Sequence, residues 1–467
     1  MQIPILNGIY IDNNADYRSS YPRNMMPVPK AQGISAGYLR PAEGIIAYPV
    51  QLPGIDRGGI NWQNTCYRVA GTKLISIYNN GAINVLGTVG GSGQVRFTYS
   101  FDRLAIASDK KLFYWNGTSL TQVTDSDLGS VLDVVWVDGY FMTTDGDNLV
   151  VTELNNPLAV DPFKYGSSEA DPDPIVSLLK LRNEIYAINR YTIEIFQNVG
   201  GEGFPFARVD GAQIQRGALG TFTAVVFLEG IAFLGSGKNE APAVWVGSNG
   251  MSNKISTREI DQVLLNYTEA ELANSVLEVR LTSGHWLLYI HLKNQTLVYD
   301  ATATQIMQEP VWFTLTSSIS GLGQYRAKNF IWCYDKWLCA DPTSTTHGYL
   351  TTSVSSHYGN KNGWDFSTLL LFNEGKGALF NELELIAVAG NIELGINPTI
   401  WTSYSVEGKT WSQERPRLAG KQGDYLRRIV WFQQGLMKNF RIQKFRGTSD
   451  AHLSFSRLEA NVDPLYV

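Results

Sequence analysis

The feature that most restricts this chain is a recurrence of short β-type segments. They read "KLISIY" from residue 73, "KLFYWNG" from 111, "NLVVTE" from 148, "TIEIFQ" from 192, "AVWVGS" from 243, "TLVYDA" from 296 and "GYLTTS" from 348. One matched apolar position in each gives Leu74, Leu112, Leu149, Ile193, Val244, Leu297 and Leu350, at intervals of 38, 37, 44, 51, 53 and 53 residues. Most are preceded by a second strand that reads as a hairpin mate: "RLAIAS", "YFMTTD", "EIYAIN", "IAFLGS", "WLLYIHL" and "FIWCYD". The turns between mates have the chemistry of tight reversals, as in Asp-Gly-Asp-Asn at 145–148 and Gly-Ser-Gly-Lys at 235–238. Units of this length, each worth about four short strands, predict a β-propeller. A blade buries its sheet only against its neighbours, so no blade is stable alone. Six or seven blades fit between residues 61 and 355.

Composition agrees with an all-β chain. Aromatics reach 12%, glycine is frequent at 44 residues, and charged residues are only 17%. That mixture favours strands and tight turns over helices, which need Ala, Leu, Glu and Lys. At 467 residues the chain divides into two or three domains. Residues 1–60, with Pro22, Pro27, Pro29, Pro41, Pro49 and Pro53, read as an extended N-terminal arm. Residues 61–355 are the propeller, with a helical insertion at about 256–281. There Ser256 with Glu259, and Thr268 with Glu271, are spaced as capping boxes. From 356 to 467 the repeat stops, and alternating segments such as "ELELIAVAG", "YLRRIVWFQQG" and "NFRIQKFRG" predict a β-sandwich-like domain.

Chemistry is sparse. His285 and His291 lie six apart in a strand pattern, so their rings are roughly 20 Å apart and cannot share an ion. Cys66, Cys333 and Cys339 are an odd set without Cys-x-x-Cys spacing and read as free thiols of a reducing compartment. The start "MQIPILNGIY" has neither a basic region nor a long apolar core, so no signal peptide is expected, and no apolar run suits a membrane span. "SVEGKTW" at 405–411 resembles the Asp box of sialidases, with Glu407 for Asp and one residue missing. That box is a structural turn, and a glycosidase would also need two placed carboxylates. No phosphate loop, calcium loop, nucleophile elbow or metal cluster is complete, so no catalytic, cofactor or metal residue is nominated. A carbohydrate-active or glycan-binding propeller remains the alternative, with Trp115 and Trp245 as candidate sugar platforms against a blade-packing reading.

Charge is uneven. Residues 415–446 hold Arg415, Arg417, Lys421, Arg427, Arg428, Lys438, Arg441, Lys444 and Arg446 against one acid, Asp424. The window is +8 in a chain of −5, leaving −13 elsewhere. Such a stripe suits phosphates or an acidic partner, or is a solvated strand face.

The stretch "NYTEAELANSVLEVRLTSGHWLLYIHLKNQTLVYDA" at 266–301 resembles the packaged-DNA stabilisation, or tail-hub, proteins of short-tailed phages related to the lambdoid Salmonella podovirus. The shared order runs through Tyr267, Thr268 and Glu271, then His285, then Ile290, His291 and Leu292, then Leu297 to Ala301. "NADYRSSYPRNMMPVPK" at 14–30, "GYLRPAEGI" at 37–45 and "YRVAGTKL" at 67–74 are similar to the same family. The resemblance implies a virion tail protein made in the bacterial host cytoplasm, with no catalytic residues. It implies six copies in a ring below the portal and its adaptor, closing the channel to retain packaged DNA and carrying the tail needle and tailspikes. Some of the nine basic residues would then face DNA or the adaptor.

Overall fold

The computed structural model describes residues 1–6, 21–30, 35–154, 156–389, 395–406, 410–449 and 453–465. The early part of the 14–30 motif and Glu407 of the box-like turn lie outside the described residues. Seven antiparallel sheets follow one another along 56–351, six of four strands and one of five. The first strand of each sheet lies beside the first strands of its two neighbours, and that of the seventh returns to that of the first. The sheets therefore close a ring, and the blade number is seven.

Leu74, Leu112, Leu149, Ile193, Val244, Leu297 and Leu350 all fall on the third strands of successive blades. Their strands are apolar on both faces because each blade is covered on both sides. In Lys73–Ile77, Leu74 packs toward Leu104 and Trp115 of blade 2, while Ile75 packs toward Leu338 of blade 7. The propeller core is thus divided into layers, one between each adjacent pair of blades. One mate departs from expectation: "FIWCYD" lies on Lys328–Cys333, the inner strand of blade 7, and the hairpin partner is Lys336–Ala340.

Blade 7 is completed from the other end of the chain. Gly44–Ala47 pairs antiparallel with His347–Thr351, with Gly348 opposite Ala47 and Leu350 opposite Ile45. The approach is tight: a Cβ on Gly348 would sit 1.9 Å from the Ile46 carbonyl oxygen. The residues read as an extended arm are therefore strands shared between two bodies.

Earlier arm strands join the C-terminal sandwich. Its first sheet runs Met25–Pro29, Gly37–Pro41, Phe455–Pro464, Ala378–Ala387, Ile429–Met437, with Gln2–Ile3 beside Phe455–Pro464. Its second contains Gly363–Ser367, Phe440–Thr448, Thr399–Ser405 and Arg415–Leu418. Trp364, Phe366, Phe380, Trp431, Phe445 and Phe455 fill the space between, together with Ile3, Met25 and Leu39 of the arm.

Two helices, Arg258–Leu264 and Glu269–Ala273, occupy the expected insertion, and Val276–Thr282 after them is already the first strand of blade 6. Thr268 and Glu271 form the capping box. The other helix starts one residue later than Ser256 implied: Thr257 is its N-cap. Ser256 is taken up instead by the Val244 N–H and the Asp261 carboxylate. A third helix, Ala301–Met307, follows directly from Asp300, whose side chain accepts from the Ala303 N–H.

Candidate interaction surfaces

The nine basic residues of 415–446 do not form one stripe. Arg441 is fully buried, its guanidinium 3.8 Å from the Tyr404 ring centre and 4.4 Å from that of Phe380. It donates to Gln443 and to the Gln434 carbonyl, and burial brings its pKa down to about 10. Arg428 is held by Glu384 and Glu382, and Arg446 by Glu414 while lying over Trp401. Arg415 and Arg417 do a different job. Ile429–Met437 is the last strand of its sheet, and an unpaired edge is a template for unwanted pairing. Arg415 donates to the Phe432 and Gln433 carbonyls and Arg417 to the Val430 carbonyl, which covers that edge.

Lys421, Arg427, Lys438 and Lys444 remain without an ion pair among the described residues. Lys444 is half-buried beside Trp411, and the other three are exposed. Lys421 and Arg427 flank a turn closed by its own backbone bonds and by the Asp424 carboxylate, which accepts from the Lys421 N–H. The one acid of the window is therefore used to shape the turn. The turn presents Tyr425, 70% exposed, and Leu426, 96% exposed.

Buried charge braces the propeller ring. Arg96 of blade 2 donates to Asp133 of blade 3 at 2.8 Å, to Ser177 of blade 4 at 3.3 Å and to the Thr221 carbonyl leading into blade 5 at 2.7 Å. Asp133 also accepts from Ser177 and from the Leu178 N–H. Across the ring, Asp56 of blade 1 accepts from Arg68 and from Asn329 of blade 7. Glu278 of blade 6 accepts from the Asn329 and Phe330 N–H groups. Burial opposes its charge, but His291 and then the Phe330 N–H and Lys328 hold its pKa below the usual value. Sequence reading missed these braces, although charges inside an apolar inner strand, such as Glu278 and Arg280 in "VLEVRL", were a usable signal.

A second joint ties the two bodies together. Arg23 donates to Asp365 of the sandwich at 2.6 Å, and their main chains also bond. Asn24 bonds the Thr314 carbonyl and the Thr316 main chain beside blade 6, and the Gly363 carbonyl of the sandwich.

The remaining candidates are built into packing. His285 and His291 sit at opposite ends of His285–His291, near Asp300 at 2.6 Å and Glu278 at 2.8 Å respectively. Among the described residues no three His, Cys, Asp or Glu are grouped for a metal ion. Cys66, Cys333 and Cys339 are buried free thiols, and burial pushes Cys66 up to about 11 and Cys339 up to about 12. Trp115 and Trp245 are 6% and 9% exposed inside inter-blade layers, so they offer no sugar platform.

Comparison with known proteins matches this two-body organisation. The family described as "Bacteriophage P22 Gp10, beta-propeller" matches residues 1–355, and "Bacteriophage P22 Gp10, beta-sandwich" matches 363–463. The chain belongs to the bacteriophage P22 Gp10 family. The propeller match takes in Gly44–Ala47, the N-terminal strand that completes blade 7. A relative, "Tail hub protein gp10" of Salmonella phage P22, is 27% identical over 484 residues, covering 99% of each chain. The chain is thus a structural phage tail-hub protein, and nothing found supports the glycan-binding alternative. In fold alone, the WD40 domain of Neurospora crassa Pan2 is similar over 66% of this chain and 93% of that one, at 11% identity and a TM-score of 0.43. PorZ of Porphyromonas gingivalis is similar over 79% and 46%, at 11% identity and a TM-score of 0.40. Neither bears on function.

Proposed function

We propose that six copies of this chain form a ring in the virion tail, below the portal and its adaptor, and close the channel that holds packaged DNA. In this reading the ring also carries the tail needle and tailspikes. The chain is made in the host cytoplasm and acts without catalysis. The observation that carries the reading is the end-to-end match to a tail hub, 99% of both chains, across both bodies and the arm that joins them. The physics supports it. Packed DNA pushes outward, and a plug resists by stiffness and by area of contact. Seven blades braced by charged hydrogen bonds between inner strands and closed by a strand from the other end supply stiffness. Repetition of one heterologous contact supplies a closed ring, and obligate interfaces of this kind bury thousands of Å². Of the nine basic residues, Lys421, Arg427 and Lys438 are the ones free to meet an anionic surface.

The test is a phage carrying a nonsense codon early in this chain, grown with and without a suppressor host. Heads without the chain are expected to package DNA and then lose it, and to regain retention when the full chain is restored. Heads that keep their DNA without the chain would contradict the reading.

A further inference from the structure

Blade 3 carries a surface that the fold does not use. Its outer strand, Asn156–Ser167, is twelve residues long, whereas the outer strands of blades 2 and 4, Leu120–Gln122 and Phe206–Arg208, have three. It has no further strand on its outer side among the described residues. Phe163 is 87% exposed, Leu158 and Tyr165 on the same strand are exposed as well, and so is Leu154 at the hairpin end before it. Isolated apolar side chains on a surface need no explanation, but a run of them on one protruding edge marks an interface. Pro157 and Pro162 remove two N–H groups from this strand, so a partner adds through side chains and not by extending the sheet.

The electrostatic setting is one-sided. Residues 121–174 contain eleven acidic side chains and one basic, Lys164; Asp133 among them is buried in the Arg96 brace and Asp171 is paired with Lys238. Lys164 is neutralised by Glu153. Burial, and then Asp127, Asp145 and Asp125, raise the pKa of the Tyr165 phenol. Asp138, Asp145, Asp147 and Glu169 are exposed. The complement exists on the same chain, in the turn that presents Tyr425 and Leu426 between Lys421 and Arg427. Intramolecular contact is not how they meet: the sandwich is stapled to blade 6, three blades round a seven-blade ring from blade 3. Two different, complementary patches on well-separated sides of one chain are the requirement for a head-to-tail contact between copies.

We infer that the Lys421–Arg427 turn of one copy docks on the acidic, apolar outer edge of blade 3 of the next, and that this contact builds the ring. The inference rests on the ring proposed above and adds its two faces. Leu426 and Tyr425 pack against Phe163 and Leu158, while Lys421 and Arg427 meet Asp147 and Glu169. Lys421 and Arg427 are also among the basic residues expected from sequence to face DNA or the adaptor; blade 3 decides for a second copy, because it supplies both the charge and the exposed apolar area.

The experiment is a charge swap in the full chain, supplied to particles that lack their own copy. One variant carries Lys421→Glu and Arg427→Glu, a second Asp147→Lys and Glu169→Lys, and a third all four. The readout is the amount of this chain in purified particles. Each two-site variant is expected to fall at least tenfold while keeping the wild-type melting temperature, and the four-site variant to recover to at least half of wild type. Leu426→Ser, which alters no charge, is expected to fall as well. Wild-type incorporation of either two-site variant overturns the inference, as does a four-site variant no better than its parents. A defect confined to the Lys421 and Arg427 variant also overturns it, and assigns the turn to DNA or to another virion protein. Absence of the wild-type chain from particles would instead sink the tail-ring reading itself.

Discussion

At the scale of single residues, much of the charge in this chain works inside the fold. Arg23 and Asp365 are both buried, at 8% and 11% side-chain exposure, so removing one strands the other. Arg23→Ala should destabilise by about 3–5 kcal/mol, and limited proteolysis should then cut first between the propeller and sandwich, near residues 352–362. His347 and His357 are buried and neutral. Burial, and then Arg68 or Arg326, pushes them down to about 4 and about 3. Both folded values lie below the unfolded ~6.5, so the unfolded chain binds more protons between those limits. Their contribution is complete above about pH 6.5 and is lost as pH falls through that window. The urea midpoint should therefore be flat from pH 8 to 7 and decline from 6.5 to 5, and His357→Gln should make the decline shallower. Residue roles were the least legible part of the sequence. A run of nine basic side chains looks the same whether arginine covers a strand edge, as Arg417 does, stacks in a core, as Arg441 does, or faces solvent, as Arg427 does.

At the scale of elements, the third strand of every blade was readable, because a strand covered on both faces is apolar at consecutive positions and stands out. The hairpin at His285–His291 and Thr296–Asp300 and the Thr268 capping box were readable for equally local reasons. Pairing between distant segments was not. Nothing in "GIIA" at 44–47 announces a partner three hundred residues away, and the Pro-rich composition around it pointed to an extended arm. The helix at Ala301–Met307 was missed although Asp300 is a good N-cap followed by alanines. The closing strand can be tested directly. Gly348→Val forces a side chain against the Ile46 carbonyl and should cost on the order of 3 kcal/mol. Hydrogen exchange should then rise in Gly44–Ala47 and His347–Thr351 before the other blades. Thr268→Ala, which removes half a capping box at an exposed helix end, should cost only about 1 kcal/mol.

At the scale of the whole molecule, the two bodies are fastened by the same segment. Residues 21–29 join sandwich to blade 6, and residues 44–47 then close blade 7. A pull on the sandwich is therefore transmitted to the ring closure and not to a loose linker. That build suits the proposed role, in which the chain holds pressure. The most direct measurement is averaged electron microscopy of the virion neck, with this chain fused to a visible tag. The expected image is a closed ring of six tagged units around the tail axis, each fitting the seven-bladed propeller and its sandwich as one rigid piece. A single or scattered tag, or a ring that accepts the units only after propeller and sandwich are separated, would contradict mechanical closure by this chain.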